Sequence, residues 1–188
     1  ERKPARDITF FNTYGKTFIE GPVGKVSFSD GPGVSVEADV NCRVEQAWEL
    51  ITDINFPGKY SDEFVSASWD GDPQTVGIGS TFTGNNSNQH IGEWSVQCTI
   101  DDYQKNRVFG WCTGDPTYPG ARWRLELDNL GSTTRIRHKV LLGPGSSGLT
   151  RLIEEQPEKE DRIIANRLKS IEANMRKVVD GMKGSLES

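Results

Sequence analysis

From Val34 the chain alternates: Val34, Val36, Ala38 and Val40 are separated by Ser35, Glu37 and Asp39, the period-two pattern of a half-buried strand. The period then lengthens. Val44, Ala47, Trp48, Ile51 and Ile54 recur at helical spacing, which predicts a helix from Val44 to Ile54, with Asn41 as N-cap and Glu45 in its first turn. Phe56-Pro57-Gly58-Lys59-Tyr60 ends that helix, and a second short helix is expected through Asp62 to Phe64.

Alternation returns and persists. Val65 to Trp69 reads as a strand closed by Asp70-Gly71-Asp72-Pro73, and Gly79 to Asn86 as another, with Phe82, Gly84 and Asn86 on one face. Trp94, Val96, Cys98 and Ile100 share a face of the next strand. Arg107 to Thr113 carries Phe109 and Trp111 together. Ala121 to Leu130 turns Trp123, Leu125 and Leu127 inward and Arg122, Arg124, Glu126 and Asp128 outward. Thr133 to Leu142 turns Ile136, His138, Val140 and Leu142 inward and Arg135, Arg137 and Lys139 outward. Short turns between such strands give an antiparallel meander with one dry and one wet face.

Gly143-Pro144-Gly145-Ser146-Ser147-Gly148 reads as a turn-rich connection. After Pro157, a residue suited to the first helical position, Ile164, Leu168, Ile171, Met175, Val178 and Met182 form one apolar stripe. At about 1.5 Å per residue, a helix from Pro157 to Met182 is roughly 39 Å long and needs a whole curved sheet to cover it. The expected fold is therefore α+β: a curved antiparallel sheet of about seven strands gripping a long C-terminal helix, with two short helices after the first strand. Residues 1–32 are expected to be a partly ordered N-terminal extension, in which Phe10, Phe11, Tyr14 and Phe18 could pack on the fold or act as a lid. Residues 33–184 would form the domain. A bent sheet around one helix leaves its middle unfilled, so an internal cavity is expected.

The 188 residues suit one domain, long enough to bury a core without metal or disulfide help. A net charge of −5 argues against a nucleic-acid partner, which selects a basic face. No apolar run approaches the roughly 18 residues of a membrane span, and no signal peptide is read at Glu1 to Asp7. Cys42, Cys98 and Cys112 form no CxxC, which suggests reduced thiols and a cytoplasmic protein. His90 and His138 lack partners at metal-ligand spacing, so no metal is expected. Gly77 to Phe82 starts like a dinucleotide loop, but Phe82 stands where the third glycine belongs, and no other cofactor loop is present, so no cofactor is expected.

The segment Val44-Glu45-Gln46-Ala47-Trp48-Glu49-Leu50-Ile51-Thr52-Asp53, followed by Tyr60, resembles the opening of the START-like helix-grip (SRPBCC) superfamily. Gly79 to Asn86, Trp94, Phe109-Gly110-Trp111 and Ala121-Arg122-Trp123 resemble its polyketide cyclase/dehydrase and lipid-transport branch. The resemblance spans about Val34 to Lys183 and implies a hydrophobic cavity between sheet and C-terminal helix. It implies a carrier, or a sequestering self-resistance protein, for a polyketide-like or lipid-like molecule. The alternatives are a polyketide cyclase, aromatase or dehydratase using a cavity histidine, and a helper domain that binds a protein partner. Oligomeric state stays open.

His138 is the polar residue in phase with the dry face. It reads either as a core histidine bonded to a neighbour or as a ligand hydrogen bonder or general acid/base. Asn86 could hold a ligand carbonyl or satisfy backbone, and Tyr60 could reach the cavity mouth or cap the core edge. Phe82, Trp94, Phe109, Trp111 and Trp123 on the sheet, with Leu168, Ile171 and Met175 on the helix, are the candidate cavity wall, where core and ligand contact are one surface. His90 falls in a polar hairpin and is expected to be solvated. Cys98 is expected buried and Cys112 outward.

Overall fold

A computed structural model describes residues 26–89 and 92–188, together with the backbone of a short antiparallel pairing of Phe10–Phe11 with Thr17–Phe18. The expectations for the aromatic side chains of the N-terminal extension and for His90 lie outside the described residues. Seven strands form one antiparallel sheet: β1 Gly33–Val40, β2 Phe64–Trp69, β3 Thr81–Asn88, β4 Gly92–Gln104, β5 Val108–Thr113, β6 Ala121–Asn129 and β7 Thr134–Leu142. Their order is β1-β7-β6-β5-β4-β3-β2, so the first two strands of this sheet in sequence are its two edges. The helical segment between them crosses from one edge to the other. Among the described residues, three α-helices follow the chain as α1 Val44–Ile51, α2 Gly148–Glu155 and α3 Glu160–Leu186.

The alternation read from the sequence is the pleat. Along β7 every second residue, from Thr134 through Ile136, His138 and Val140 to Leu142, is buried, while Arg135, Arg137, Lys139 and Leu141 between them are half-buried. Their neighbours across the strands are in register: Val36 and Leu125 flank His138, and Val34 and Trp123 flank Val140. The outer face carries an ionic lattice. Arg137 Nε donates to Glu37 at 2.9 Å and Lys139 Nζ to Glu126, while Arg135 Nε donates to Asp39 at 2.7 Å. The Arg135 hydrogen bond holds the Asp39 carboxyl below the usual carboxylate range.

A register shift between Ile100 and Asp102 makes β4 bulge. The bulge sets Asp101 and Asp102 beside Arg122 and Arg124 of β6, and Asp101 accepts from both guanidinium groups, at 2.6 and 2.8 Å. Arg124 reaches across β5 only because Gly110 lies beneath it, since a Cβ there would sit 2.6 Å from Arg124 Cδ.

Several elements differ from their sequence expectation. Helix α1 stops at Ile51, and Arg43 rather than Asn41 holds its N-cap position, its backbone N–H donating to Gln46 Oε1 at 3.1 Å. The second helical segment is a 3-10 turn over Phe56–Lys59, not Asp62 to Phe64, because Pro57 suits the start of such a turn and Phe64 already pairs with Asn86 in the sheet. The connection after Leu142 contains α2. Ser147 caps it by accepting from Leu149 N–H, and the Thr150 side chain bonds back to Ser147. A 3-10 turn over Pro157–Lys159 precedes α3, which runs on to Leu186. Cys112 does lie beside Thr99 and Arg122, in the outward phase, yet it is fully buried there.

The apolar interior falls into two clusters. One joins α1, Phe56, Phe82, Ile100, Phe109, Leu125 and Ile136 to Val178 and Met182 near the end of α3. The other joins Val34, Val36, Val140 and Leu142 to Ile164, Leu168, Ile171, Met175 and Val179. Helix α3 comes closest to the edge strand β1, leaning to one side of the concave face rather than lying along its middle.

Candidate functional site

The seam between the two clusters is where the candidate residues meet. Trp111 packs on the first cluster and Trp123 on the second. They are cross-strand partners on β5 and β6, and their indoles stack across the seam with centroids 6.2 Å apart and planes 7° apart. His138 belongs to neither cluster. Its imidazole lies 5.6 Å from the Trp123 ring and 6.4 Å from the Trp111 ring. An aromatic chain continues from Trp111 to Phe109 at 5.6 Å and Phe82 at 6.1 Å, and from Phe82 to Trp69 at 5.3 Å.

Trp111 and Trp123 face inward with strands on both sides, yet both are only half-buried. So are Trp94 and Val96 on β4 and Asn86, the cross-strand partner of Trp94. Inward residues of a mid-sheet strand lose their exposure when a helix or side chain covers them. These keep part of it, so their cover is incomplete among the described residues. The concave face is closed on the α3 side by Leu168, Ile171 and Met175, all buried, while over β4 and β5 Cys98, Ile100 and Phe109 are buried and Trp94, Val96 and Trp111 are half-buried.

His138 itself is 6% exposed, and neither Nδ1 nor Nε2 has a hydrogen-bond partner. Burial alone pushes its pKa down to about 4, so the imidazole is neutral near pH 7. A buried polar group without a partner costs about 1–3 kcal/mol. Both nitrogens are shut off from water, so a guest reaches them only by displacing a neighbouring side chain. Trp111 and Trp123 are the rings in contact.

Tyr60 stands apart from this cluster. It is 36% exposed, its ring lies against the α3 backbone at Gly181, and its hydroxyl is 3.4 Å from Ser185 Oγ. A separate open cleft of about 830 Å³ lies at the β2 edge, lined by Gly58, Ser61 to Val65 and Ser87 to Gln89. None of the candidate residues lines it. Glu63, in that cleft, accepts from both Arg167 guanidinium nitrogens at 2.6 and 2.7 Å. Burial raises the Glu63 carboxyl, but the Arg167 bonds and charge, with Asn88, more than reverse that and leave it below its ordinary value. Sequence reading missed this pair, because the partners are 104 positions apart and neither lies in a motif. Among the described residues no cluster of His, Cys, Asp or Glu could hold a metal, and no helix is long and apolar enough to cross a membrane.

A seven-stranded antiparallel sheet gripping a long C-terminal helix, with two short helical segments between its edge strands, defines the helix-grip architecture of the START-like (SRPBCC) superfamily. Within it the chain belongs to the polyketide cyclase / dehydrase and lipid transport family, whose model matches residues 32–187. No curated protein matches the chain in sequence. Among solved structures it is similar to a polyketide-cyclase-like protein of Corynebacterium glutamicum, at 18% identity and a TM-score of 0.59 over 80% of this chain and 88% of that one. It is also similar to the aromatase/cyclase ZhuI of Streptomyces sp. R1128, at 12% identity and a TM-score of 0.55 over 82% and 92% of the two chains. The di-domain ARO/CYC StfQ of the steffimycin biosynthetic pathway aligns at 9% identity and a TM-score of 0.60 over 82% of this chain and 50% of that one. At such identities these likenesses speak to the fold.

Proposed function

We propose that the protein binds a hydrophobic small molecule, polyketide-like or lipid-like, on the Trp111–Trp123 pair between the concave sheet and α3, and that it acts as a carrier or sequestering protein, as in self-resistance. The observation that carries this is the half-buried state of inward-facing Trp94, Val96, Trp111 and Trp123. Large apolar surface left open inside a concave face is what a guest would cover, at about 25 cal/mol per Å² of apolar area removed from water. The three cysteines are free and buried, which supports a reducing, cytoplasmic setting.

Binding fits the chemistry better than turnover. Cyclisation or dehydration needs an acid/base group and a partner that stabilises an oxyanion. His138 is a weak base at a pKa of about 4, and no carboxylate is bonded to it to raise that value or fix its tautomer. Titration of intrinsic Trp fluorescence with a panel of neutral aromatic polyketides and lipids tests the reading. Saturable binding that Trp123→Ala weakens supports it, and no saturable binding across the panel refutes it.

One observation favours a second reading, as cyclase, aromatase or dehydratase: neither nitrogen of His138 has a partner, so the unprotonated one could accept a substrate proton once a guest displaces the neighbouring rings. Product analysis with a poly-β-ketone substrate, for the native chain and for His138→Gln, separates the two. Turnover that depends on His138 makes the protein an enzyme.

A further inference from the structure

Among the described residues, the wall around the seam carries no charge. The buried or half-buried inward residues that meet there are Val36 on β1, Trp111 on β5, Trp123 and Leu125 on β6 and His138 on β7, opposite Met175 on α3. Only His138 among them can ionise, and no charged group among the described residues pairs with it.

Several cations that flank the concave face are already engaged. Arg167, which flanks the apolar stripe of α3, is held by Glu63 through two short bonds. Lys177 is held by Asp62. Arg176 and Lys183 donate to the backbone carbonyls of Glu37 and Asp39 over the β1 edge. On β6 the guanidinium groups of Arg122 and Arg124 pair with Asp101 on the outer face. Among the described residues an anionic head buried at the seam would meet no cation on the wall, and drawing Arg167 inward would strip Glu63 of its charged partner.

We infer that the guest of this chamber is an uncharged molecule, an apolar ring system whose buried polar atom is a hydroxyl, ketone or ester rather than a carboxylate or phosphate. The inference rests on the ligand-binding reading above and narrows it, since it excludes fatty acids and phospholipids bound head-inward. A neutral imidazole can donate from one nitrogen and accept at the other, so one polar atom of such a guest supplies the partner that His138 lacks. A carboxylate can also accept from the one N–H, but it loses its hydration and finds no standing counter-charge, because the imidazole is neutral near pH 7.

The test is a matched pair of probes, methyl 2-naphthoate and 2-naphthoate, titrated into the full chain at neutral pH and followed by Trp fluorescence and isothermal calorimetry. The two share an aromatic core and differ in charge. The ester is expected to bind at least about tenfold more tightly, because a charge buried without a counter-ion is strongly disfavoured. Equal binding, or tighter binding of the acid, overturns the inference and leaves the ligand-binding reading standing. If neither the ester nor the neutral dye Nile red binds saturably, both fall. A Val96→Lys variant, placing a cation at a half-buried inward position, is the second measurement. With its far-UV circular dichroism unchanged, it should shift the preference toward the acid, and an unshifted ratio counts against a charge-free wall as the cause.

Discussion

The indoles of Trp111 and Trp123 lie 7° from parallel with their centroids 6.2 Å apart, and they span the boundary between the two apolar clusters of the interior. Two stacked indoles couple their electronic transitions, so the pair has a circular-dichroism signature of its own. Trp123→Phe should abolish that signature while leaving the fold intact, because Phe fills most of the indole volume. It should weaken binding of a neutral aromatic guest roughly threefold to tenfold, the range expected for one aromatic pair at about 0.5–1.5 kcal/mol. A guest that unstacks the pair to reach His138 should erase the same signature in the native protein. Unchanged spectra at saturation would show that the guest sits elsewhere.

His138 makes stability depend on pH in a defined direction. Its folded pKa is about 4, against 6.5 for the free side chain, with burial as the cause. The unfolded chain therefore takes up a proton here before the folded chain does. The contribution of the neutral, buried imidazole is fully present above about pH 6.5 and is lost progressively as pH falls toward 4. At about 1.36 kcal/mol per pKa unit, the loss reaches up to about 3 kcal/mol. Urea unfolding of the native chain and of His138→Phe between pH 4 and 7.5 isolates it. The difference between the two curves should tilt in favour of His138→Phe as pH drops, and parallel curves would mean that the imidazole is not buried in solution.

The succession of strands along the chain, the inward phase of His138 and the apolar stripe of α3 were all legible in the sequence, because each is a local periodicity; the pairing of β1 with β7 was not. What the sequence concealed was decided by contacts between distant positions. Phe64 pairs with Asn86, and that pairing denies the Asp62 to Phe64 stretch a helix. Cys112 has the outward phase of its strand and is buried all the same, beneath a lattice in which Arg122 and Arg124 converge on a bulged Asp101. Helix α2 follows a glycine-rich run that argues for a loop, and its Ser147–Thr150 cap was the signal that could have revealed it. Whether Trp111 and Trp123 fill the core or line a space depends on where α3 leans, and no spacing encodes that.

The Arg167–Glu63 pair ties the loop before β2 to α3, and both side chains are largely shielded from solvent. Removing one partner leaves the other half-buried and uncompensated, so Glu63→Gln should destabilise the fold by about 1–3 kcal/mol. Because the Glu63 carboxyl lies below its ordinary value of 4.5, its contribution is present above that pH and fades as acid protonates the folded form. Native and Glu63→Gln proteins should therefore converge in stability at low pH. A constant gap down to pH 3 would mean that the cost is packing rather than charge.

Gly181 shows why α3 carries a glycine in its last turns. A Cβ there would fall 2.6 Å from the Tyr60 ring, which also packs on Phe56 with centroids 5.3 Å apart. In an exposed helix, glycine to alanine gains up to about 1 kcal/mol. Here the methyl group would push Tyr60 off the helix, and Gly181→Ala should instead destabilise by about 1–2 kcal/mol. Tyr60→Ala removes the obstacle, so adding Gly181→Ala in that background should stabilise by about 0.5–1 kcal/mol. A change of sign between the two backgrounds, read from chemical denaturation in a double-mutant cycle, is the expected result. Destabilisation of equal size in both would place the constraint on the helix backbone and not on the tyrosine.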